Sequence, residues 1–221
     1  MSMTFTRRGF LHSAGALAAG GALMAGPLRA GTAWAATGPA IGQPAPAFTV
    51  TNVDGASVNL ADYKGKLVVL EWTNHGCPFV RKHYDSGNMQ ALQKEATDQD
   101  IVWLAVISSA PGEQGHLSPA DAKARMQEER WAASTILLDP EGTMGRAYDA
   151  KTTPHMYIIG TDGTLLYNGA IDDKPTAKQE DIKGARNHVR EALAEIRAGK
   201  PVSMASTKPY GCNVKYSKTT T

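Results

Sequence analysis

Cysteine is scarce in this chain: Cys77 and Cys212 are the two among 221 residues. Two are too few for a disulfide-stapled scaffold or for an all-cysteine zinc site. Phenylalanine is almost as rare, with 4, and aromatic residues make up 7%. Charge of one sign is not in excess. Lys+Arg 23 against Asp+Glu 21 leaves +2, without the basic footprint of a nucleic-acid partner. What is present is 42% hydrophobic and 20% charged, with Gly 22 and Pro 12. That is ordinary globular composition, and it excludes a collagen-like, disordered or coiled-coil chain. The length suits one domain with appendages.

The first apolar stretch has the quality of an address rather than an anchor. Thr6-Arg7-Arg8-Gly9-Phe10-Leu11 sets adjacent arginines before a mildly apolar run from Ala14 to Leu28, and Ala33-Trp34-Ala35 supplies an A-x-A cleavage pattern. The segment resembles a twin-arginine export signal. Its glycines, His12 and Ser13 make it a poor membrane span, and nothing later in the chain could serve as one. Removing Arg7, Arg8 and Arg29 from Lys+Arg 23 leaves 20 basic against 21 acidic residues, a near-neutral mature protein. Export, to the periplasm or beyond, implies an oxidising compartment in which the cysteines can form a disulfide.

The division expected is a signal peptide at 1–35, a linker at 36–46, one domain at 47–200 and a polar tail at 201–221 carrying Cys212. Ala47–Val53 and Ser57–Leu60 read as a hairpin about Asp54-Gly55. Leu67–Thr73 and Ile101–Ser108 are short apolar runs with the look of buried strands. Between them lies a helical pattern from Cys77 to Asp98, broken near Asp85–Asn88. Ser118-Pro119-Ala120-Asp121 opens a helix with an N-cap and a first-position proline, running to Trp131. A strand at Thr135–Leu138 and a short helix at Met144–Tyr148 follow. His155–Gly160 and Thr164–Asn168 then form strands about Thr161-Asp162-Gly163. A last helix is predicted over Lys178–Ala198, with Ile182, Ala185, Val189, Leu193 and Ile196 on one face. Alternating strands and helices point to an α/β fold, a central sheet with helices on both faces.

Cys77 sits in Asn74-His75-Gly76-Cys77-Pro78, directly after a strand and at the start of a helix. Unpaired N–H groups and the helix dipole favour a thiolate there. Arg81-Lys82-His83 reads as a solvated basic face that tunes Cys77; a buried packing cysteine is the bland alternative.

The run LEWTNHGCPFV, with Thr152-Thr153-Pro154 about 75 residues later and Gly211-Cys212-Asn213-Val214-Lys215-Tyr216 near the end, resembles the thioredoxin superfamily. Within it the closest likeness is to redoxins of the alkyl hydroperoxide reductase and thiol-specific antioxidant group, and it covers residues 41–216. The resemblance implies a thioredoxin-like fold with a central mixed sheet, an N-terminal hairpin and a C-terminal tail. It makes Cys77 the nucleophile and Pro154 a cis-proline facing it. Thr153 would offer backbone groups to a substrate, and Glu71 would be the buried acid beneath the cysteine, a proton carrier if its pKa is raised. A sheet-edge carboxylate paired with a lysine is the alternative for Glu71. Partners are then a thiol or disulfide protein, a small peroxide or thiol substrate, and an exported redox partner. No cofactor is expected.

Val80 stands where a C-x-x-C would place its second thiol. Leu70 and Asn74 stand where the peroxide-binding pattern P-x-x-x-T-x-x-C places proline and threonine. Thiol–disulfide exchange is therefore better supported than fast peroxide reduction. Cys212 can supply the missing thiol if the tail folds back over the site; a permanent staple and an intermolecular bond are the alternatives. His75, Cys77, His83 and His155 could instead gather as a copper or zinc set, making the chain a metal-handling or binding module. Asp172-Asp173 reads as an acid pair or, more simply, a turn.

Overall fold

The computed structural model describes residues 38–218. The segment read as an export signal, residues 1–35, lies outside the described residues. Strands β1 (Thr49–Asn52) and β2 (Ser57–Asn59) form the expected hairpin. The apolar runs become β3 (Val68–Trp72) and β4 (Val102–Ile107), buried along their whole length. Helices α1 (Pro78–Asp85) and α2 (Asn88–Thr97) lie between them. The break falls where Gly87 takes a φ of +74°, which a glycine adopts without steric cost. Helix α3 (Pro119–Glu128) starts as read, with the Ser118 hydroxyl accepting from Asp121 N. It stops short of Trp131, where Arg130 takes a φ of +54°. Strand β5 (Thr135–Leu138), helix α4 (Thr143–Ala147), the two-residue β6 (Thr152–Thr153), β7 (His155–Ile159) and β8 (Leu165–Gly169) follow.

The main sheet has seven strands in the order β2-β1-β5-β4-β3-β7-β8. It is mixed: β3 runs parallel to β4 and β4 to β5, whereas β3 and β7 are antiparallel. Alternation along β3 divides the core. Val69 joins residues of α1, α2, α3 and the last helix, α5 (His188–Arg197), on one face, whereas Leu70 and Trp72 join Phe48, Met144 and the tail's Val214 on the other. This is the thioredoxin-like α/β fold. Among the described residues no helix is long and apolar enough to cross a membrane.

Two stretches depart from the reading by periodicity. The last helix is shorter than predicted: Gln179–Gly184 forms a 3-10 turn, and α5 covers His188–Arg197. Tertiary pairing overrides the helical pattern here. Arg186 O accepts from Asp173 N at 3.2 Å, and His188 N donates to Ile171 O at 3.0 Å, holding 186–188 along the 171–173 segment. The Asn187 side chain then caps α5 by accepting from Arg190 N. The tail, in turn, is firmly paired. Cys212–Asn213 forms a ninth strand, β9, antiparallel to β6.

Candidate active site

Register brings the first two elements of the site together. Strand β3 ends at Trp72, which stands opposite His155 at the start of antiparallel β7. The residues just after β3 and just before β7 therefore share one end of the sheet. Cys77 lies on the first segment, and the Thr153–Pro154 peptide, which is cis, lies on the second. The Cys77 thiol donates to the Thr153 carbonyl at 3.1 Å.

Asn74 shapes the loop that delivers Cys77. Its buried side-chain oxygen accepts from Gly76 N at 2.9 Å, its amide nitrogen donates to Gln114 O at 3.1 Å, and its carbonyl accepts from Cys77 N at 3.0 Å. With both ends of the amide engaged in the loop, the group standing in the peroxide-binding threonine's place has a structural task. Cys77 is then the N-cap of α1, with Pro78 at the first helical position.

The third element is the tail. In the β6–β9 ladder Thr153 pairs with Cys212 and Thr152 with Asn213. Gly211 makes the approach feasible. Its φ is +128°, and a Cβ there would stand 2.0 Å from the Thr153 carbonyl oxygen. Cys212 thus lies against Cys77, and both are free thiols. Their surroundings differ: Cys77 is 0% exposed, and Cys212 is partly exposed.

The two sulfurs are driven apart in acidity. Burial raises the pKa of Cys77, but donors outweigh it: the Cys212 thiol and N–H, the Val80 N–H and the Thr153 hydroxyl together hold it below the ordinary thiol value. Cys212 is pushed up to about 11 by burial, by hydrogen bonding to Cys77 and by its charge. The basic run after Cys77 is not a solvated face. Lys82 and His83 are buried; Lys82 Nζ reaches Asp172 Oδ2 at 3.3 Å and Lys174 O at 2.8 Å. Arg81 pairs with Asp85 and with Glu129.

Glu71 is buried on the central strand β3. It accepts from Tyr84 Oη at 2.7 Å, Trp103 Nε1 at 2.8 Å and Gln93 Nε2 at 3.1 Å, with no lysine partner. Burial raises its pKa to about 7 against the pull of those donors.

The histidines do not assemble with Cys77. His83 packs between Asn88 and Tyr210, and burial lowers its pKa to about 4. His155 faces Asn168 at 2.8 Å and Tyr157 at 3.2 Å, likewise lowered to about 4 by burial. His75 lies on the Asn74 loop, also lowered by burial. Among the described residues no group of three or more His, Cys, Asp or Glu is placed to hold a metal ion.

Sequence reading missed the group beneath the tail. Asp172, 3% exposed, accepts from Tyr210 Oη, from Lys174 N at 3.0 Å and from Lys82 at 3.3 Å. The available signal was a basic residue within the apolar face of a short helix, Lys82, and an acid pair after an apolar strand. Neither names its partner, because the partners are 90 residues apart in sequence.

The chain is similar to thioredoxin-like protein YneN of Bacillus subtilis, 27% identical over 149 residues, which is 64% of this chain and 79% of that one. It is 24% identical over 133 residues to the thiol-disulfide oxidoreductase ResA of Bacillus thuringiensis, 57% of this chain and 67% of that one. The crystal structure of an uncharacterized conserved protein from Geobacillus kaustophilus matches with a TM-score of 0.68 at 28% identity, covering 81% of this chain and 94% of that one. With residues 41–168 matching its description, more than half of the length, the chain belongs to the AhpC/TSA family.

Proposed function

We propose that this protein is an exported thiol-dependent oxidoreductase in which Cys77 is the nucleophile and Cys212 the resolving thiol. The observation that carries the reading is the β6–β9 ladder, which pairs Cys212 with Thr153 and leaves it in hydrogen-bonding contact with Cys77. The acidity difference supports the roles. Cys77 is the thiol more readily ionised, and Cys212, pushed up to about 11, stays protonated as a donor until Cys77 has reacted.

With a disulfide substrate, the Cys77 thiolate attacks one sulfur and expels the other as a thiolate, leaving a mixed disulfide. Cys212 loses its proton and attacks the Cys77 sulfur, releasing the second substrate thiolate and forming the Cys77–Cys212 bond. With a hydroperoxide, Cys77 takes the terminal oxygen as a sulfenic acid and an alcohol or water leaves. Cys212 then displaces water to form the same bond. Asn74 and Leu70, standing in place of the peroxide-binding pattern's threonine and proline, favour the first reaction as the physiological one. Thr153 accepts the Cys77 thiol beside cis-Pro154 and pairs with Cys212, and Glu71, neutral over much of the acid range, is the candidate proton store on β3.

Export through the twin-arginine route rests on Arg7-Arg8 and the Ala33-Trp34-Ala35 pattern. The test of the reading is to treat reduced protein with oxidised glutathione and map the products by mass spectrometry. Cys212→Ser should accumulate a glutathione adduct on Cys77, which the unaltered chain converts to the internal bond. An adduct found on neither cysteine would overturn the reading.

A further inference from the structure

The tail is tied down at several points, and they differ in what they tie it to. Upstream, Asn168 N donates to Ala205 O and Thr207 N to Asn168 O, at 3.0 and 3.1 Å, fixing 205–207 to β8. Downstream, Val214 N donates to Lys151 O at 3.1 Å, and the Tyr216 hydroxyl donates to Ala150 O at 2.7 Å. The β6–β9 ladder itself has only two pairs. Such a short ladder is marginal by itself. All these contacts anchor the tail to β8, to β6 or to the segment after α4. None reaches α1, the helix that Cys77 heads.

Tyr210 does. Its ring meets Phe79 of α1 edge-on at 5.9 Å, and Lys82 Nζ lies 5.6 Å from its centre. Its hydroxyl donates to Asp172 Oδ1 and stands 3.3 Å from His83 Nε2. Asp172 is in turn the ion-pair partner of Lys82, both side chains being almost completely buried. The residue between Tyr210 and Cys212 is Gly211, which imposes no side-chain restraint of its own. Where Cys212 sits relative to α1 is therefore set by Tyr210 on one side and, on the other, by the short ladder and the Val214–Lys151 bond that follows it.

We infer that Tyr210 is a positioning residue: its hydroxyl on the Lys82–Asp172 pair latches the tail to helix α1 and holds Cys212 at a high local concentration against Cys77. This rests on the Cys77–Cys212 reading above and gives that pair its geometric control. The latch acts through Cys212 and need not touch a substrate. A hydrogen bond to a charged acceptor is among the stronger single contacts, so its loss is felt wherever the bond it supports must form.

The experiment is the equilibrium between the two thiols and oxidised glutathione. The internal disulfide forms as glutathione disulfide takes up two electrons and two protons and becomes two molecules of glutathione. Tyr210→Phe keeps the ring on Phe79 and leaves Asp172 paired with Lys82 and Lys174 N, so the fold is retained; thermal melting verifies this. Tyr216→Phe removes a hydroxyl bond from the same tail without touching α1. Loss of the latch should lower the equilibrium constant for disulfide formation about ten- to a hundredfold in Tyr210→Phe. Tyr216→Phe should stay within about threefold of the unaltered chain. Equal constants for Tyr210→Phe and the unaltered chain, or equal losses in both variants, would overturn the latch while leaving the two-thiol reading in place. An unaltered chain that forms no internal disulfide would overturn that reading and the latch with it.

Discussion

Cys212 stands opposite Thr153 in the β6–β9 ladder, and the carbonyl of that same Thr153 accepts the Cys77 thiol. One residue beside a cis peptide bond thus serves both sulfurs, with its backbone carbonyl on one and its strand register on the other. The tail is part of the site, in which Cys77 is completely buried.

Cys77 should titrate below an ordinary thiol, and that shift should depend on Cys212. Hydrogen bonding from the Cys212 thiol is the foremost of the influences that lower it against burial. In Cys212→Ser the hydroxyl keeps part of the side-chain donation, and in Cys212→Ala only the backbone N–H remains. Thiolate absorbance against pH should place the Cys77 midpoint lowest in the unaltered chain and highest in Cys212→Ala. An unchanged midpoint in Cys212→Ala would remove the tail from the electrostatics of the site.

Gly211→Ala should separate the two cysteines. The added methyl would stand 2.0 Å from the Thr153 carbonyl oxygen, at a φ of +128° that an L-residue rarely adopts. The tail must lift, and the Cys77 sulfur becomes reachable. Alkylation of Cys77 by a small reagent should accelerate about tenfold or more, while formation of the internal disulfide slows. Unchanged alkylation would show that the ladder is not what covers Cys77.

Glu71 gives stability a pH dependence of definite sign. Its pKa is raised from 4.5 to about 7 in the folded chain, so the folded state binds the proton more tightly. Its stabilising contribution is therefore full below about pH 4.5 and is lost as pH rises toward and through about 7. Relative to Glu71→Gln, the unaltered chain should lose roughly 3 kcal/mol between those limits, an order-of-magnitude figure. Urea unfolding of both proteins from pH 4 to 8 measures it, and parallel curves would contradict the account.

Removing one partner of the buried Lys82–Asp172 pair should be costly. Lys82→Met leaves Asp172 charged and buried, at a cost of roughly 3–5 kcal/mol. Adding Asp172→Asn should recover part of it, because the uncompensated charge is gone while an acceptor for Tyr210 remains. Denaturant unfolding distinguishes this from an unimportant pair, for which Lys82→Met would cost less than about 1 kcal/mol.

The sheet and the place of Cys77 were legible in the sequence because their signals are local. β3 and β4 are continuous apolar runs, Ser118-Pro119 marks a helix start, and Cys77-Pro78 follows a strand. The breaks came where distant segments decide the outcome. Residues 178–187 carry a helical apolar face, yet the 171–173 segment pairs with 186–188 and confines α5 to the residues after Asn187. Lys82 looks like one member of a surface basic run, and only Asp172, far away in sequence, explains why it is inside. The two-residue strand β9 has no periodicity to read. Its one local sign is Gly211, whose lack of a side chain permits the approach to Thr153.

The central claim is that Cys77 and Cys212 form a reversible redox pair. The most direct measurement is a redox titration of the purified protein against glutathione, counting free thiols and identifying the linked Cys77–Cys212 peptide by mass spectrometry. The account predicts a linked peptide that appears and disappears reversibly while the protein stays folded, at a potential well above about −300 mV. Two thiols that remain free throughout, or a bridge that yields only when the protein unfolds, would contradict it.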